Sequence, residues 1–210
     1  AYVFFVGILG ILALALAPFG FSLLSPVELA LALASGVFFI AALLAFCEAL
    51  RREESSRIVP LAGALIPIFL MAVAALGYGE QMSAAHVAAS ALFIGGGLFL
   101  APNAPLAARA IRVPVVVLAA SAGALFAFSF LLLSEAFRTA PFISVFIWSR
   151  VGSALAALLL LAIPAARRDI VSIARSAPPS SYALFFFNKG MGATSFLALN
   201  YAIAQGPLVI

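Results

Sequence analysis

The chain has 210 residues, of which 66% are hydrophobic and 9% charged, and its formal net charge is +4. Soluble domains are about half apolar and about a quarter charged, so this composition excludes an ordinary water-soluble globule and marks a membrane protein. The positive excess comes from arginines in short connecting segments, which argues topology rather than a DNA or RNA partner, and the lone cysteine, Cys47, excludes an intrachain disulfide and a cysteine-rich metal site.

A hydrocarbon core about 30 Å thick takes roughly 20 apolar helical residues per crossing. The runs here are continuous and rich in Ala, Leu and Phe rather than alternating, so helices are the way to satisfy the backbone in lipid, and an all-α polytopic transmembrane bundle is expected. Turn signals and charges place helices over Tyr2 to Leu23, Val27 to Leu50, Arg57 to Gly77, Ala84 to Ala101, Val113 to Ala136, Pro141 to Pro164 and Ser181 to Ala204. The chain opens at Ala1 already inside AYVFFVGILGILALALA, and it closes on GPLVI, the start of a further apolar segment. A fragment of a longer protein is therefore expected.

One set of connections carries Arg51, Arg52, Arg57, Arg109, Arg112, Arg167, Arg168 and Arg175; the opposite set carries Arg138 alone. Arginine excess in short loops marks the cytoplasmic side. By this cue RREESSR, PNAPLAARAIR and ARRDIVSIARSAPPSS are cytoplasmic loops, and no soluble domain fits between the spans.

Charges inside the spans are the candidate functional residues, because an ionised group in hydrocarbon is costly. Lys189, the only lysine, lies in FFFNKGMGATSF about 12 Å into its helix, too deep for its stem to reach water fully. Either a neighbouring carbonyl or carboxylate satisfies it or it faces a polar pathway, and the second reading is adopted. Asn188 precedes it; Gly190 and Gly192 follow and would let a helix or a substrate approach the backbone. Arg150 poses the same problem in the preceding helix, with Trp148 nearby as a candidate interface anchor. Glu48 and Glu135, near helix ends, are either solvated charges or pathway residues, and Glu48 could pair with Lys189. Pro60 and Pro67 remove backbone donors within one helix and would kink it, freeing carbonyls. Glu80, in GYGEQMS, is expected to hold a helix-helix turn, and His86 to sit at an interface.

Laying Ala34 to Ser55 over Phe187 to Leu208 without a gap pairs Leu44 with Leu197, Ala45 with Ala198 and Ala49 with Ala202. The two segments belong to spans that cross in opposite directions, as inverted repeats of secondary transporters do.

On these features the chain resembles the EamA-like drug/metabolite transporter superfamily. The stretch SSRIVPLAGALIPIFLMAVAALGYGEQMSAAHVAASALFIGGGLFL is similar to the family's fourth and fifth helices, with Pro67, Glu80 and a Gly95, Gly96, Gly97 run. WSRVGSALAALLLLAIP looks like the second helix of a repeat, opened by Arg150. Ala89 stands where the fifth helix would carry glycine, and SLLSPVE lacks the basic residues of the family's cytoplasmic loop, so family pattern and arginine bias give opposite orientations. The resemblance implies two inverted five-helix repeats incomplete at both ends: residues 1–104 without the first helix and 105–210 without the last two.

It further implies a secondary transporter in a bacterial inner membrane, moving a small polar or amphipathic substrate by alternating access, with proton or ion coupling or exchange; a homodimer stays open. No GxxxxGK[ST] motif is present, and no cofactor or metal is expected. A lipid-linked substrate flippase of the same fold is the alternative. An intramembrane enzyme is disfavoured, because one Asp, one His and one Cys supply no converging catalytic set.

Overall fold

The computed structural model describes residues 1–77, 84, 87–89, 91–92, 95–96, 112–176 and 179–205. The described residues form helices and connections without a strand. The helices are α1 (Tyr2–Leu9), continued by a 3-10 segment (Gly10–Phe19), then α2 (Pro26–Arg52), α3 (Ser55–Gly77), α4 (Val113–Thr139), α5 (Phe142–Leu159), α6 (Pro164–Ser176) and α7 (Pro179–Gln205). Five are long and apolar enough to cross a membrane: Tyr2–Phe19, Pro26–Arg52, Ser55–Val73, Val113–Thr139 and Phe142–Ala162. This is the architecture of an integral membrane protein. The expected span over Ala84 to Ala101 lies largely outside the described residues. The last expected span is the 27-residue α7, whose Asn188, Lys189, Thr194, Ser195 and Asn200 make it more polar than the other five.

Local chemistry explains the boundaries. Ser25 and Glu28 form a capping box: the Ser25 amide donates to Glu28 Oε2 at 2.8 Å, and the Glu28 amide donates to Ser25 Oγ at 3.3 Å. Pro26 occupies the first helical position, where its missing N–H removes no intrahelical bond. Pro164 and Pro179 begin α6 and α7 in the same way. At the far end of α2, Glu48 pairs with Arg52 at 2.7 Å and Arg51 at 3.5 Å, placing cations over the last carbonyls.

Two expectations are corrected. The first span is not one α-helix to Leu23: it tightens to 3-10 geometry at Gly10 and stops at Gly20, whose φ of 130° suits glycine and few other residues. The arginine-bearing segment after α5, read as loop, contains the 13-residue α6. Its charges mask a helical period in which Ala166, Ile170 and Ile173 share one side, with Ile170 buried.

The Cα packing separates two compact units, the first built from two stretches of sequence, Ala1–Ile40 with Leu132–Gly206, and the second from Ala41–Leu131. In the first, Ala32, Leu133, Ala136 and Val145 make a core flanked by Leu24, Leu31, Phe137, Ala140 and Trp148. The position of Trp148 against this cluster, 6.5 Å from Phe21 ring to ring, makes it a packing residue. Helix α5 is the centre of this unit: small residues on it let α2 and α1 approach to backbone contact. A Cβ on Gly36 would lie 2.0 Å from Ser149 O, one on Gly152 would lie 2.3 Å from Leu33 O, and one on Gly7 would lie 2.5 Å from Ala157 Cβ. Ser153 Oγ donates to Gly36 O at 3.2 Å across the crossing. Small residues at such crossings are how helices associate in lipid, where apolar surface alone gives no preference for protein over acyl chain. In the second unit Ala49, Ile58 and Val115 form the core with Phe46, Leu50 and Leu118, and Gly123 packs on Leu65, whose Cβ would meet an added methyl at 2.9 Å. Pro60 and Pro67 both lie within an α3 that continues to Gly77.

Candidate functional site

Arg150 stands in α5 eight residues after Phe142, about 12 Å along the helix axis. The close α2–α5 crossing one turn away draws α2 against it, and α7 packs across the other side. Three phenylalanines from three helices thereby surround the guanidinium. Its carbon lies 4.2 Å from the ring centroid of Phe196 (α7), 4.9 Å from that of Phe39 (α2) and 5.8 Å from that of Phe146 (α5). The Phe196 ring is in turn 5.1 Å from Phe39 and 6.3 Å from Phe146. Gly10 borders the cage from the N-terminal segment: a Cβ there would lie in ordinary contact with the Arg150 stem, at 3.6 Å.

Arg150 is only 8% exposed. Ring faces stabilise a cation by about 0.5–2 kcal/mol each, but they accept no conventional hydrogen bonds from its five N–H groups. Its one side-chain hydrogen bond among the described residues runs from Nε to Ser149 Oγ at 3.5 Å. Ser149 is itself committed, donating to Phe146 O at 2.8 Å. No carboxylate pairs with Arg150 among the described residues. Glu48 and Glu53 pair with arginines near them, Glu135 pairs with Arg138 at 3.3 Å, and Glu28 serves the capping box.

Lys189 lies on the same unit but at a different level. Its Nζ sits 3.9 Å from the Tyr2 ring centroid and 5.5 Å from that of Phe185, half-buried between α1 and α7. At ~100° per residue Phe185, Lys189, Phe196 and Asn200 occupy one face of α7, and this face meets Phe5 of α1 and Phe39 of α2. Asn200 is fully buried; its Nδ2 donates to Phe196 O at 2.6 Å, and its Oδ1 accepts no hydrogen bond among the described residues.

The structure thus gathers Arg150 and Lys189 onto the surroundings of one α7 face. Asn188 is exposed, and Gly190 and Gly192 have no described atom within 4 Å of an added Cβ, so close helix packing does not explain these glycines. Glu135 is engaged with Arg138 at the end of α4, and Glu48 with Arg51 and Arg52 at the end of α2. Pro67 lies in α3, in the other unit; Glu80 and His86 lie outside the described residues. Sequence reasoning passed over Phe39, Phe196 and Asn200. The available signal for two of them was the seven-residue spacing from Lys189 to Phe196 and the four-residue step to Asn200, which set Lys189, Phe196 and Asn200 on one face of α7; Phe39, on α2, had no such signal.

No family model, curated protein or solved structure matches the chain. The groups at the site are a buried cation with donors unmatched among the described residues, an apolar aromatic wall, and a buried amide oxygen without a donor among the described residues.

Proposed function

We propose that the chain is a secondary transporter of a small polar or amphipathic metabolite, of the EamA-like drug/metabolite type that it resembles, built on inverted repeats and working by alternating access in a bacterial inner membrane. The observation that carries this reading is Arg150: a guanidinium buried in a membrane-type helical bundle with no carboxylate partner among the described residues. Such a charge is expensive to keep in place, and a group retained at that expense inside a bundle points to a solute pathway rather than to stability. Lys189 contributes a second cation on the same α7 face, and the glycines beside it leave backbone open to approach.

Reconstitution of the purified protein in proteoliposomes, with uptake and counterflow measured across amino acids, nucleosides, cationic drugs and organic acids, tests the reading. Saturable uptake that needs Arg150 supports it. Leak-like flux of every solute, or none of any, would remove it.

A further inference from the structure

We propose that Arg150 receives the anionic group of the transported molecule, and that this molecule is a small monocarboxylate with an apolar body. The inference deepens the transporter reading and rests on it for the fate of the bound molecule.

The first argument is charge. The sequence holds seven carboxylate side chains. Of those described, Glu28 is held in the α2 capping box, Glu54 accepts from Ser56, and Glu48, Glu53 and Glu135 pair with arginines one turn away. Asp169 forms no ion pair among the described residues and sits in the amphipathic α6, not at the cage. A buried guanidinium without a carboxylate among the described residues is the complement of a carboxylate brought by a ligand, because the planar N–H fork matches two carboxylate oxygens at once.

The second argument is stoichiometry. Lys189 lies seven residues before Phe196 on α7, about 10 Å along the axis, and its ammonium is already stacked on Tyr2. Its contacts, with Tyr2 and Phe185, are separate from the three rings around Arg150. One cation among three phenylalanines is neutralised by a single negative charge; a dianionic phosphate would leave an uncompensated charge in the same apolar surroundings.

The third argument is the wall. Phe39, Phe146 and Phe196 offer the ligand hydrocarbon and ring edges, which suit an alkyl or aryl body. One turn beyond Phe196, the buried Oδ1 of Asn200 is an acceptor with no donor among the described residues, and a ligand hydroxyl or amino group would supply one.

Thermal unfolding of the purified protein in a neutral detergent tests the assignment. The probes are hexanoate, benzoate and 2-hydroxy-3-phenylpropanoate, each beside its uncharged amide, with matched sodium chloride, hexyl phosphate and added phosphatidylglycerol as further arms. At least one carboxylate is expected to raise the melting temperature saturably, with its amide at least ~10-fold weaker, in line with the loss of one desolvated charge partner. Arg150→Gln is expected to lose that shift while keeping helical circular dichroism and a cooperative transition; Arg150→Lys, should the glutamine variant not fold, is expected to weaken it.

The proposal is overturned if no carboxylate shifts the transition, if an amide matches its acid, or if the shift survives Arg150→Gln. It is equally overturned if chloride, hexyl phosphate or phosphatidylglycerol gives the larger effect, which would make the site one for inorganic anions, phosphate esters or lipid headgroups. Carboxylate binding without uptake in proteoliposomes removes the transporter reading and leaves this one. Saturable uptake of other solutes with no carboxylate shift does the reverse.

Discussion

A Cβ placed on Gly36 of α2 would stand 2.0 Å from the carbonyl oxygen of Ser149 on α5, and the reciprocal Cβ on Gly152 would stand 2.3 Å from Leu33 O. The two backbones therefore touch at a point that admits no side chain on either strand of the crossing. Gly36→Ala and Gly152→Ala are each expected to destabilise the protein by roughly 2 kcal/mol or more, since backbone cannot move aside as a flexible side chain does. Denaturation in mixed micelles, comparing each variant with Gly63→Ala in α3, where an added Cβ meets nothing within 4 Å, checks this. Equal effects at the three sites would show the crossing to be looser than described.

Ser153 belongs to the same crossing through its bond to Gly36 O at 3.2 Å, shared with Ser149 O at 3.1 Å. Interhelical hydrogen bonds of this kind are worth only about 0.6 kcal/mol in lipid. Ser153→Ala should accordingly cost well under half of what Gly36→Ala costs. A serine effect as large as the glycine effect would transfer the burden of the contact from sterics to hydrogen bonding.

Arg150→Met should give a variant that is as stable as the parent or more so, yet inactive. Replacing a buried charge that has no ion pair among the described residues with an apolar side chain of similar length removes its desolvation penalty, and a gain of up to a few kcal/mol in unfolding is in range. Asn200→Leu should behave alike on a smaller scale, about 1 kcal/mol, because one buried oxygen loses its unmet demand. Both variants are scored for melting temperature and for solute uptake side by side. Marked destabilisation of Arg150→Met would identify the arginine as a structural strut.

Lys189→Ala is expected to reduce transport strongly while leaving membrane expression intact, and Lys189→Arg to retain part of it through the same contact with Tyr2. Uptake normalised to protein in the membrane decides. Undiminished transport by the alanine variant would confine Lys189 to a packing role.

Arginine bias places the turn between α2 and α3, with Arg51, Arg52 and Arg57, on the cytoplasmic side. Ser55→Cys in a Cys47→Ser background should resist an impermeant thiol reagent applied to intact cells and react after permeabilisation. Labelling from outside would favour the family-pattern orientation.

Much of the helical layout was legible because hydropathy and punctuation coincide. The expected Val27 to Leu50 became Pro26–Arg52, Arg57 to Gly77 became Ser55–Gly77, and Ser181 to Ala204 became Pro179–Gln205; the changes are the capping turns that proline, serine and arginine add. The 3-10 segment was hidden because GILALALA continues the apolar, helix-favouring run of α1, and only Pro18 and Gly20 near its end mark a departure from α-helix. Helix α6 was hidden for the opposite reason: its arginines read as a loop when counted and as a helix face when spaced. At the site, Arg150 and Lys189 were conspicuous as charges among apolar residues. Their aromatic partners were not, since any of 20 phenylalanines could have met them, and the choice depends on which helix faces which.

The short α1 has a mechanical consequence. Helices α5 and α7 run antiparallel, with Phe142 against Tyr201 and Phe146 against Phe196 at one end. At the other end the chain passes through α6, about 20 Å long. Helix α1 lies between α5 and α7: Gly7 seats on Ala157 and Ser153 of α5, while Phe5 and Tyr2 meet Phe185 and Lys189 of α7. It is a shim between two blades. The same chain continues to Gly10, where an added Cβ would meet the stem of Arg150 at 3.6 Å, so one short segment of ten residues borders both cations of the unit, Lys189 through Tyr2 and Arg150 through Gly10.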